Sequence, residues 1–405
     1  MKDNRGREQE LFGKLNDFLP DDCTDTLFPA GTDLPHEIDI SGLPEGEWVA
    51  RGVFRMEREI PYSRQYGHRE LKDPSSSGEL LSFWGGTRRS VYLDLETTGL
   101  SGARGAYAFL IGLGFNTEDS FKVVQLFMAG PAWEKNWLWS LESELPEDDY
   151  GLVTYNGRAF DLPLLRIRYR LARSAPGWDG RPHMDLLMLA RHFYRGRLPS
   201  CSLSSIEQRV LGVHRSVDDV PGKEIPGLYT SYLSTSDAAP LRGVFYHNTL
   251  DVISMAALQT HIGALAEMRG TTGKDMIRCG DLWNQAKEND KAKAAWSRAL
   301  DFRGSESEAN SKLAEYAKTE GNFGKARELY IEALKNDTSS LVIFENLSKL
   351  EEKDEKDLKS ALSYAEKALE ILGSMADPDD FSLGQKRYEL NNRISRLRKK
   401  CLEEA

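Results

Sequence analysis

Two acidic residues lie one position apart in the otherwise apolar segment VYLDLETTGLSG. The apolar residues predict a buried strand that carries Asp94 and Glu96. Because side chains alternate along a strand, both carboxylates point to the same face. Two like charges held close together near a core are costly unless a cation or a proton neutralises them. The pair therefore implies a neutralising partner.

Two further segments carry acids at positions where they can do chemistry. In YNGRAFDLPLL, a strand ends in a turn and Asp161 follows where a helix begins. In YHNTLDVISM, His247 and Asp251 are four residues apart in a helical pattern and so lie on one face. Taken alone, Asp161 is an ordinary helix N-cap and the His247–Asp251 pair an ordinary surface pair.

The three segments together give four carboxylates and one imidazole. The carboxylates are Asp94, Glu96, Asp161 and Asp251. A cluster of carboxylates without a thiolate or several histidines favours hard divalent ions, Mg²⁺ or Mn²⁺. Two such ions about 3.5–4 Å apart form the clamp used for in-line phosphoryl displacement. The sequence therefore predicts a two-metal site in which these four acids are the ligands.

Alternating strand and helix patterns over residues 90–266 position these acids. Three consecutive strands are predicted near residues 91–95, 109–115 and 121–128, and a fourth near 152–155. Helices are predicted at 133–145, 162–173, 185–195, 202–211 and 241–268. A meander followed by alternating helices and strands predicts a mixed α/β sheet covered by helices. Residues 1–89 form a separate N-terminal segment of unassigned role, in which EWVARGVFRMEREIP predicts a strand or hairpin.

Residues 267–405 have helical patterns only, and a triplet of residues recurs along them. A triplet spaced by four and three residues returns at an offset of 34 and then of 35. Its copies are Ala292, Trp296 and Ala299, then Ala326, Tyr330 and Ala333, then Ala361, Ala365 and Ala368. This period resembles that of tetratricopeptide repeats, with a final capping helix. A generic helical bundle is the alternative.

The motifs DLETTGL, NGxxFD and HNxxD resemble those of the DEDD exonuclease superfamily. Together with YAFLIGLGF, HMDLLMLARHFY and LPSCSLSSIEQRVLGVHR, they are similar to the bacterial YprB-like family over most of residues 50–260. The resemblance implies a ribonuclease H-like fold, C-terminal tetratricopeptide repeats and a metal-dependent 3′-to-5′ exonuclease. It also implies that Asp94, Glu96 and Asp251 hold one ion and that Asp94 and Asp161 complete the second.

The resemblance further implies which residues bind the terminal nucleotide. They are Thr97, Thr98, Gly99 and Leu100, with Asn156 and Arg158 nearby. An ordinary turn after a strand is the alternative for this segment. The general base differs from superfamily members that carry His five residues before the last Asp, because Tyr246 holds that position here. Since four residues along a helix are about 400° and five about 500°, only His247 projects over Asp251, and we predict that His247 is the base.

Charge and composition limit the partners. The chain of 405 residues is long enough for two or three domains and has a net charge of −10, which argues against coating nucleic acid by bulk charge. Residues 158–215, however, hold 11 Arg, no Lys and 4 acids, a net charge of +7. This Arg-rich window predicts contacts with DNA or RNA phosphates, and ion pairs on amphipathic helices are the alternative.

No apolar segment of the sequence is long enough for a membrane span or resembles a secretion signal, so we predict a cytoplasmic protein without membrane contact. Two rival functions stay open. One is an endonuclease on the same fold. The other is an inactive nucleic-acid-binding protein whose helical repeats hold a protein partner. Retention of four mutually repelling carboxylates and the His argues against an inactive domain.

Overall fold

The protein is described by a computed structural model over residues 43–71, 89–99, 105–216, 219–355, 357–374 and 381–403, all of which belong to one compact unit. Nine strands are present in these residues. They are β1 (Glu47–Ala50), β2 (Val53–Pro61), β3 (Gln65–Tyr66), β4 (Arg69–Glu70), β5 (Ser90–Thr97), β6 (Ala108–Asn116), β7 (Ser120–Met128), β8 (Gly151–Thr154) and β9 (His183–Asp185).

Seven of these strands form one mixed sheet in the order β1-β2-β7-β6-β5-β8-β9. The strands β5, β6 and β7 are antiparallel neighbours, as the predicted meander requires. The strand β8 pairs with β5 in parallel, and β9 continues this parallel part. The acid-bearing strand β5 therefore lies at the junction of the antiparallel and parallel parts. The predicted mixed α/β sheet is confirmed.

The segment EWVARGVFRMEREIP forms the hairpin β1–β2 and extends the same sheet, because β2 pairs with β7 along its whole length. The sequence pattern indicated the hairpin but not its neighbour. Six helices accompany the sheet. They are α1 (Glu134–Glu144), α2 (Asp161–Leu171), α3 (Leu186–Tyr194), α4 (Leu203–Ile206, continued by a π-helical turn Glu207–Leu211), α5 (Ile225–Thr235) and α6 (Arg242–Ala266).

The helix α6 packs across the middle of the sheet, against β5, β6 and β7. Glycines on β6 permit this close approach. A Cβ atom on Gly114 would lie 2.7 Å from a Val252 methyl, and one on Gly112 would lie 2.2 Å from the Asn248 side-chain oxygen. Because α6 carries His247 and Asp251, its depth against the sheet brings these side chains to the level of Asp94.

Seven further helices form an all-helical C-terminal region, as predicted. They are α7 (Gly273–Gln285), α8 (Asn289–Ala299), α9 (Glu306–Thr319), α10 (Phe323–Asn336), α11 (Leu341–Leu350), α12 (Leu358–Ser374) and α13 (Phe381–Glu403). They pack as consecutive pairs, α7 with α8, α9 with α10 and α11 with α12, and α13 lies against α12. Every residue of the three recurring triplets is buried, which explains why small residues recur where neighbouring helices meet.

The first helical pair shares a core with the sheet. Trp283 and Trp296 belong to the same buried cluster as Tyr92 of β5 and Met255 of α6. The indole N–H of Trp283 donates to the carbonyl of Ala266, 2.9 Å away. Burial of two large aromatic side chains at this junction makes hinge motion between the two regions costly.

Candidate active site

The four predicted acids come from three elements that meet above β5. Asp94 and Glu96 lie on one face of β5, and Asp94 pairs in register with Gly112 of β6. Asp161 is the first residue of α2, directly after the loop that leaves β8. Asp251 lies in the first half of α6. We call these four residues the acid cluster.

Electrostatic coupling links the acid cluster. Burial, followed by the charges of Asp251 and Asp161, raises the pKa of Asp94 well above its ordinary value. Burial and then the charges of Asp94, Asp251 and Asp161 do the same to the pKa of Glu96. Burial is also the main reason that the pKa of Asp161 is raised to about 7, and Asp185 and Asp251 add to it. Full ionisation of the cluster at neutral pH therefore requires a cation.

A chain of buried amides orients Asp94. The side-chain N–H of Asn248 donates to the Asp94 carboxylate over 2.8 Å, and Gln125 of β7 donates to the Asn248 oxygen over 2.7 Å. Gln125 also donates to the carbonyl of Phe245. Gly112 lies between Asp94 and Gln125 in the sheet register, and its missing side chain leaves the space that Asn248 fills. Asp94 is therefore fixed by hydrogen bonds rather than by an ion pair.

A buried ion-pair network holds Asp251. The guanidinium of Arg215 contacts Glu207 through two nitrogens, at 2.7 and 2.8 Å, and reaches the Asp251 carboxylate through one of them. Glu207 is 1% exposed and also accepts a hydrogen bond from Ser254. Since breaking one member of a buried pair leaves an uncompensated charge, Glu207 anchors Arg215 in this position.

The His247 imidazole lies between two carboxylates. Its Nδ1 is 2.8 Å from an oxygen of Asp219 and 3.1 Å from an Arg215 nitrogen. Its Nε2 is 3.6 Å from an oxygen of Asp251. Tyr246 instead lines a separate cavity with Arg58 and other residues. Of the two neighbouring residues Tyr246 and His247, it is therefore His247 that faces Asp251.

The acid cluster has the chemistry of a metal site without being arranged as one. Among the residues that the structure describes, no group of three or more His, Cys, Asp and Glu side chains is positioned to hold a metal ion. One oxygen of Asp94 is engaged by Asn248, and one oxygen of Asp251 is engaged by Arg215. Even so, the donors are all carboxylate oxygens, and burial followed by neighbouring carboxylates raises the pKa of three of these acids. This donor set fits a hard divalent cation.

The residues predicted to bind a terminal nucleotide follow β5. The hydroxyl of Thr97 donates to the carbonyl of Gly99 over 2.7 Å. The backbone N–H of Thr98 donates to the carbonyl of Tyr107, and the Tyr107 N–H donates back to the Thr98 hydroxyl. These contacts hold the end of β5 beside Tyr107, the residue that immediately precedes β6. Leu100 lies outside the described residues.

A buried carboxylate shapes the loop between β8 and α2. Asp185 accepts the backbone N–H groups of Asn156 and Arg158, at 2.8 and 3.2 Å, and also caps α3 through Leu187. Asn156 adopts a left-handed backbone with φ of 66°, a conformation that Asn tolerates better than most residues. Asp185 therefore fixes the loop that ends at Asp161, while the Arg158 side chain is exposed.

The structure divides the Arg-rich window into two groups. Five of its 11 arginines form ion pairs, as the alternative interpretation expects. They are Arg166, Arg168, Arg181, Arg197 and Arg215. Arg158, Arg173, Arg191, Arg195 and Arg209 are exposed and form no ion pair with a described residue. Only part of the window is therefore available to an external anion.

Sequence reasoning missed the residues that support the acids and the His. Asn248 and Gln125 are two of them, and Glu207, Arg215 and Asp219 are the others. The signals were modest. Asn248 adjoins His247 in the quoted HN motif, and Glu207 and Arg215 lie in the quoted segment LPSCSLSSIEQRVLGVHR. Neither motif indicates which element its polar residue contacts.

The chain is similar to known proteins over the region that contains the acid cluster. Residues 91–263, which contain the whole acid cluster, match the model of a family described as RNase_H superfamily. The chain is 30% identical over 399 residues to the uncharacterized protein YprB of Bacillus subtilis strain 168, covering 92% of this chain and 94% of that protein. The chain belongs to the YprB family.

The match to the RNase H superfamily supports a general statement about function. The RNase H-superfamily domain supports a nuclease-like hydrolase that acts on nucleic acid, and nucleases of this superfamily generally use divalent metal ions. In the described part of the chain, no helix is both long and apolar enough to span a membrane.

Proposed function

We propose that this protein is a metal-dependent exonuclease that removes nucleotides from the 3′ end of DNA or RNA. The observation that carries the proposal is the acid cluster, in which Asp94, Glu96 and Asp161 form no ion pair with any described residue although each has a raised pKa. Buried charges that only keep a fold together are usually paired within the chain. Buried carboxylates without such a partner favour a functional role.

The residues proposed to hold two divalent cations, Mg²⁺ or Mn²⁺, are Asp94, Glu96, Asp161 and Asp251. When bound, such ions would supply the positive charge that activates a water molecule and stabilises the departing 3′ oxygen. The chain's own contribution is to fix the ligands. Asn248 orients Asp94, and Arg215 orients Asp251. Outer residues of this kind commonly determine ligand orientation.

His247 is proposed as the general base. If its Nδ1–H donates to Asp219, the free lone pair is on Nε2, the nitrogen on the side of Asp251. The base then accepts the water proton at a defined atom, and the hydroxide attacks phosphorus. We propose Asp219 as the positioning residue that fixes this tautomer, a role supported by its contact of 2.8 Å with Nδ1.

The remaining parts of the proposal concern the surroundings of the site. The residues proposed to hold the terminal nucleotide are Thr97, Thr98, Gly99, Leu100, Asn156 and Arg158. The C-terminal helices are proposed to be tetratricopeptide-like repeats that bind a protein partner, since their recurring small residues are buried at helix contacts. A cytoplasmic location is proposed because no apolar segment of the sequence is long enough for a membrane span.

The test uses single-stranded DNA and RNA labelled at the 5′ end, with Mg²⁺ or Mn²⁺, read on a denaturing gel. The expected result is a ladder that shortens from the 3′ end and disappears in EDTA and in Asp94→Ala. Asp148→Asn is the matched control because Asp148 is an exposed acid outside the acid cluster. Circular single strands separate the exonuclease from the endonuclease, since they have no end. Cut circles would favour the endonuclease, and intact substrate with every metal would favour the binding protein.

A further inference from the structure

A groove of about 460 Å³ begins at the loop that leads to the acid cluster. Its walls come from the loop after β8, from α3 and from the chain before α4. Its lining residues include Tyr155, Asn156, Leu187, Arg191, Ser200 and Ser202. We call it the Arg191 groove. The loop residue Asn156 lines the groove and precedes the proposed metal ligand Asp161 by five positions, so one loop connects the groove with the proposed site of cleavage.

The charge of this groove differs from that of two other cavities. The described residues that line the Arg191 groove include one arginine and no acid. In two other cavities acids offset part of the positive charge: a second is lined by Glu45 with Arg58 and Arg242, and a third, in the helical region, by Glu345 and Glu389 with Lys349, Lys386, Arg393 and Arg396. In a chain of net charge −10, a groove with a cation and no acid is suited to an anion.

Arg191 is free to contact a ligand. Its side chain is exposed and forms neither an ion pair nor a hydrogen bond with a described residue. Arg197, six residues later, is engaged by Asp275 at 2.7 Å, and Arg168 is engaged by Glu134. Arg191 therefore keeps its charge for a partner, whereas Arg197 and Arg168 are neutralised within the chain.

Donor groups and an aromatic ring complete the groove. The Ser200 oxygen accepts the Ser202 N–H at 3.0 Å, which leaves the Ser200 hydroxyl proton able to donate. The backbone of Asn156 is held by Asp185, and Asn156 lines the groove with a side-chain amide that can donate. Tyr155 is tied to the opposite wall because its hydroxyl donates to the carbonyl of Cys201. Phosphate contacts beside an aromatic face are the arrangement by which single strands are bound.

We propose that the Arg191 groove binds the phosphodiester backbone of a single-stranded nucleic acid, on the 5′ side of the nucleotide that is removed. Arg191 contacts a phosphate, Ser200 and Asn156 donate hydrogen bonds, and Tyr155 offers its ring to a base or sugar. The volume lies in the range of small-ligand pockets. The inference rests on the proposed function for its orientation, but its binding can be measured without cleavage.

The experiment measures fluorescence anisotropy of fluorescein-labelled 12-nucleotide dT and U strands with the full-length protein in EDTA, between 50 and 200 mM KCl. Arg191→Ala is expected to weaken binding about 5- to 10-fold at low salt. It should also reduce the slope of log K against log salt by about 0.7, the value for one lost phosphate contact on a single strand. Ser200→Ala should weaken binding by less.

Arg195→Ala is the matched control, because Arg195 is exposed, unpaired among described residues and close in sequence but does not line the groove. It should bind within twofold of the unchanged protein. Equal losses for both variants, or no loss for Arg191→Ala, would overturn the groove. So would a 12-base-pair duplex bound as tightly as the single strand, or no binding of either strand.

Failure of the groove and failure of the proposed function give different results. If the protein degrades strands from the 3′ end while Arg191→Ala binds normally, the proposed function is supported and the proposed role of the Arg191 groove is wrong. A protein that never cuts, yet binds single strands through Arg191, loses the function and retains the groove.

Discussion

Buried acids are treated in opposite ways in the two regions of this molecule. In the helical region, Glu352 accepts from Arg393 and Arg396 at 2.8 Å and from Lys400 at 3.0 Å. Burial would raise the pKa of Glu352, but hydrogen bonds from Arg396 and Lys400 lower it below its ordinary value. Neighbouring Glu351, 1% exposed, is paired with Arg327 at 2.6 Å.

Three members of the acid cluster in the sheet domain, Asp94, Glu96 and Asp161, have the opposite balance, whereas Asp251 is paired with Arg215. Burial and then the neighbouring carboxylates raise the pKa of Asp94, and the support of Asp94 is a neutral amide rather than a cation. A fold gains nothing from such an arrangement, because every unpaired buried charge costs free energy. The difference indicates that acids with internal cations serve structure and that acids without them are kept for an external cation. Four substitutions or conditions test this distinction.

The largest effect is expected from Asp94→Asn. Loss of one proposed ligand should lower the cleavage rate at least about 10³-fold, equivalent to about 4 kcal/mol of transition-state stabilisation. The same change removes a repelling charge, so the melting temperature in EDTA should rise. Gel assays and thermal melts measure the two quantities. A variant that is less active and also less stable would indicate that Asp94 serves the fold.

A smaller loss is expected from Asp219→Asn, which keeps the shape but not the charge beside His247. Outer residues of catalytic sites commonly contribute about 10- to 100-fold. The loss should fall on kcat rather than KM, because Asp219 is proposed to act through the base and not on the substrate. In the double variant with His247→Ala, the two losses should not add. Full additivity would remove Asp219 from the catalytic pathway.

Stability in EDTA should fall as pH rises, which contrasts with the behaviour of a salt-bridged acid. The pKa of Asp161 rises from an ordinary 3.8 in the unfolded chain to about 7 in the folded one. Between these values the folded state binds more protons than the unfolded state. The contribution of Asp161 to the free energy of unfolding is therefore largest below pH 4 and is lost as pH approaches 7. We expect a drop in melting temperature of at least about 2–4 °C from pH 5 to 7.5, and a rise again with Mn²⁺.

Asp161→Asn is the control for this pH effect. His183, whose pKa is lowered by burial to about 4, changes stability with the opposite sign, since its contribution is lost as pH falls. Because His183 is present in both proteins, the difference between their pH curves isolates the acid. Identical curves would show that Asp161 is not a strained member of the cluster.

Local patterns predicted the acids, whereas the partners of the acids depend on contacts distant in sequence. The DxE spacing on β5 and the four-residue step on α6 placed their side chains on defined faces, because strand and helix periods are fixed. Gln125 and Asn248 are 123 positions apart, and no period relates them. The same applies to β2, whose apolar pattern was evident but whose neighbour β7 follows it by about 60 residues.

The helical region illustrates the opposite case, in which repetition made burial predictable. Each recurring small residue is buried because the same contact is repeated between successive helices. The cations of Glu352 were less predictable. The pattern of the basic segment RLRKK does not indicate this contact, yet its Arg396 and Lys400 reach back to Glu352.

The smallest effect is expected from Glu352→Gln. Arg396 and Lys400 are 53% and 44% exposed, so water can replace most of what the carboxylate provides, and the loss should be about 1 kcal/mol. Because the pairs are screened by salt, the loss should shrink in 1 M NaCl. Cleavage should be unchanged, since Glu352 belongs to the helical region and not to the acid cluster.

Glu366→Gln is the matched control, because its partner Arg398 and Glu366 itself are both largely exposed, and its stability loss should be close to zero. Urea unfolding of the three proteins gives the comparison. If Glu352→Gln instead stabilised the chain, as Asp94→Asn should, the two regions would not differ in how they neutralise acids. An unpaired acid in this chain would then no longer indicate a metal site.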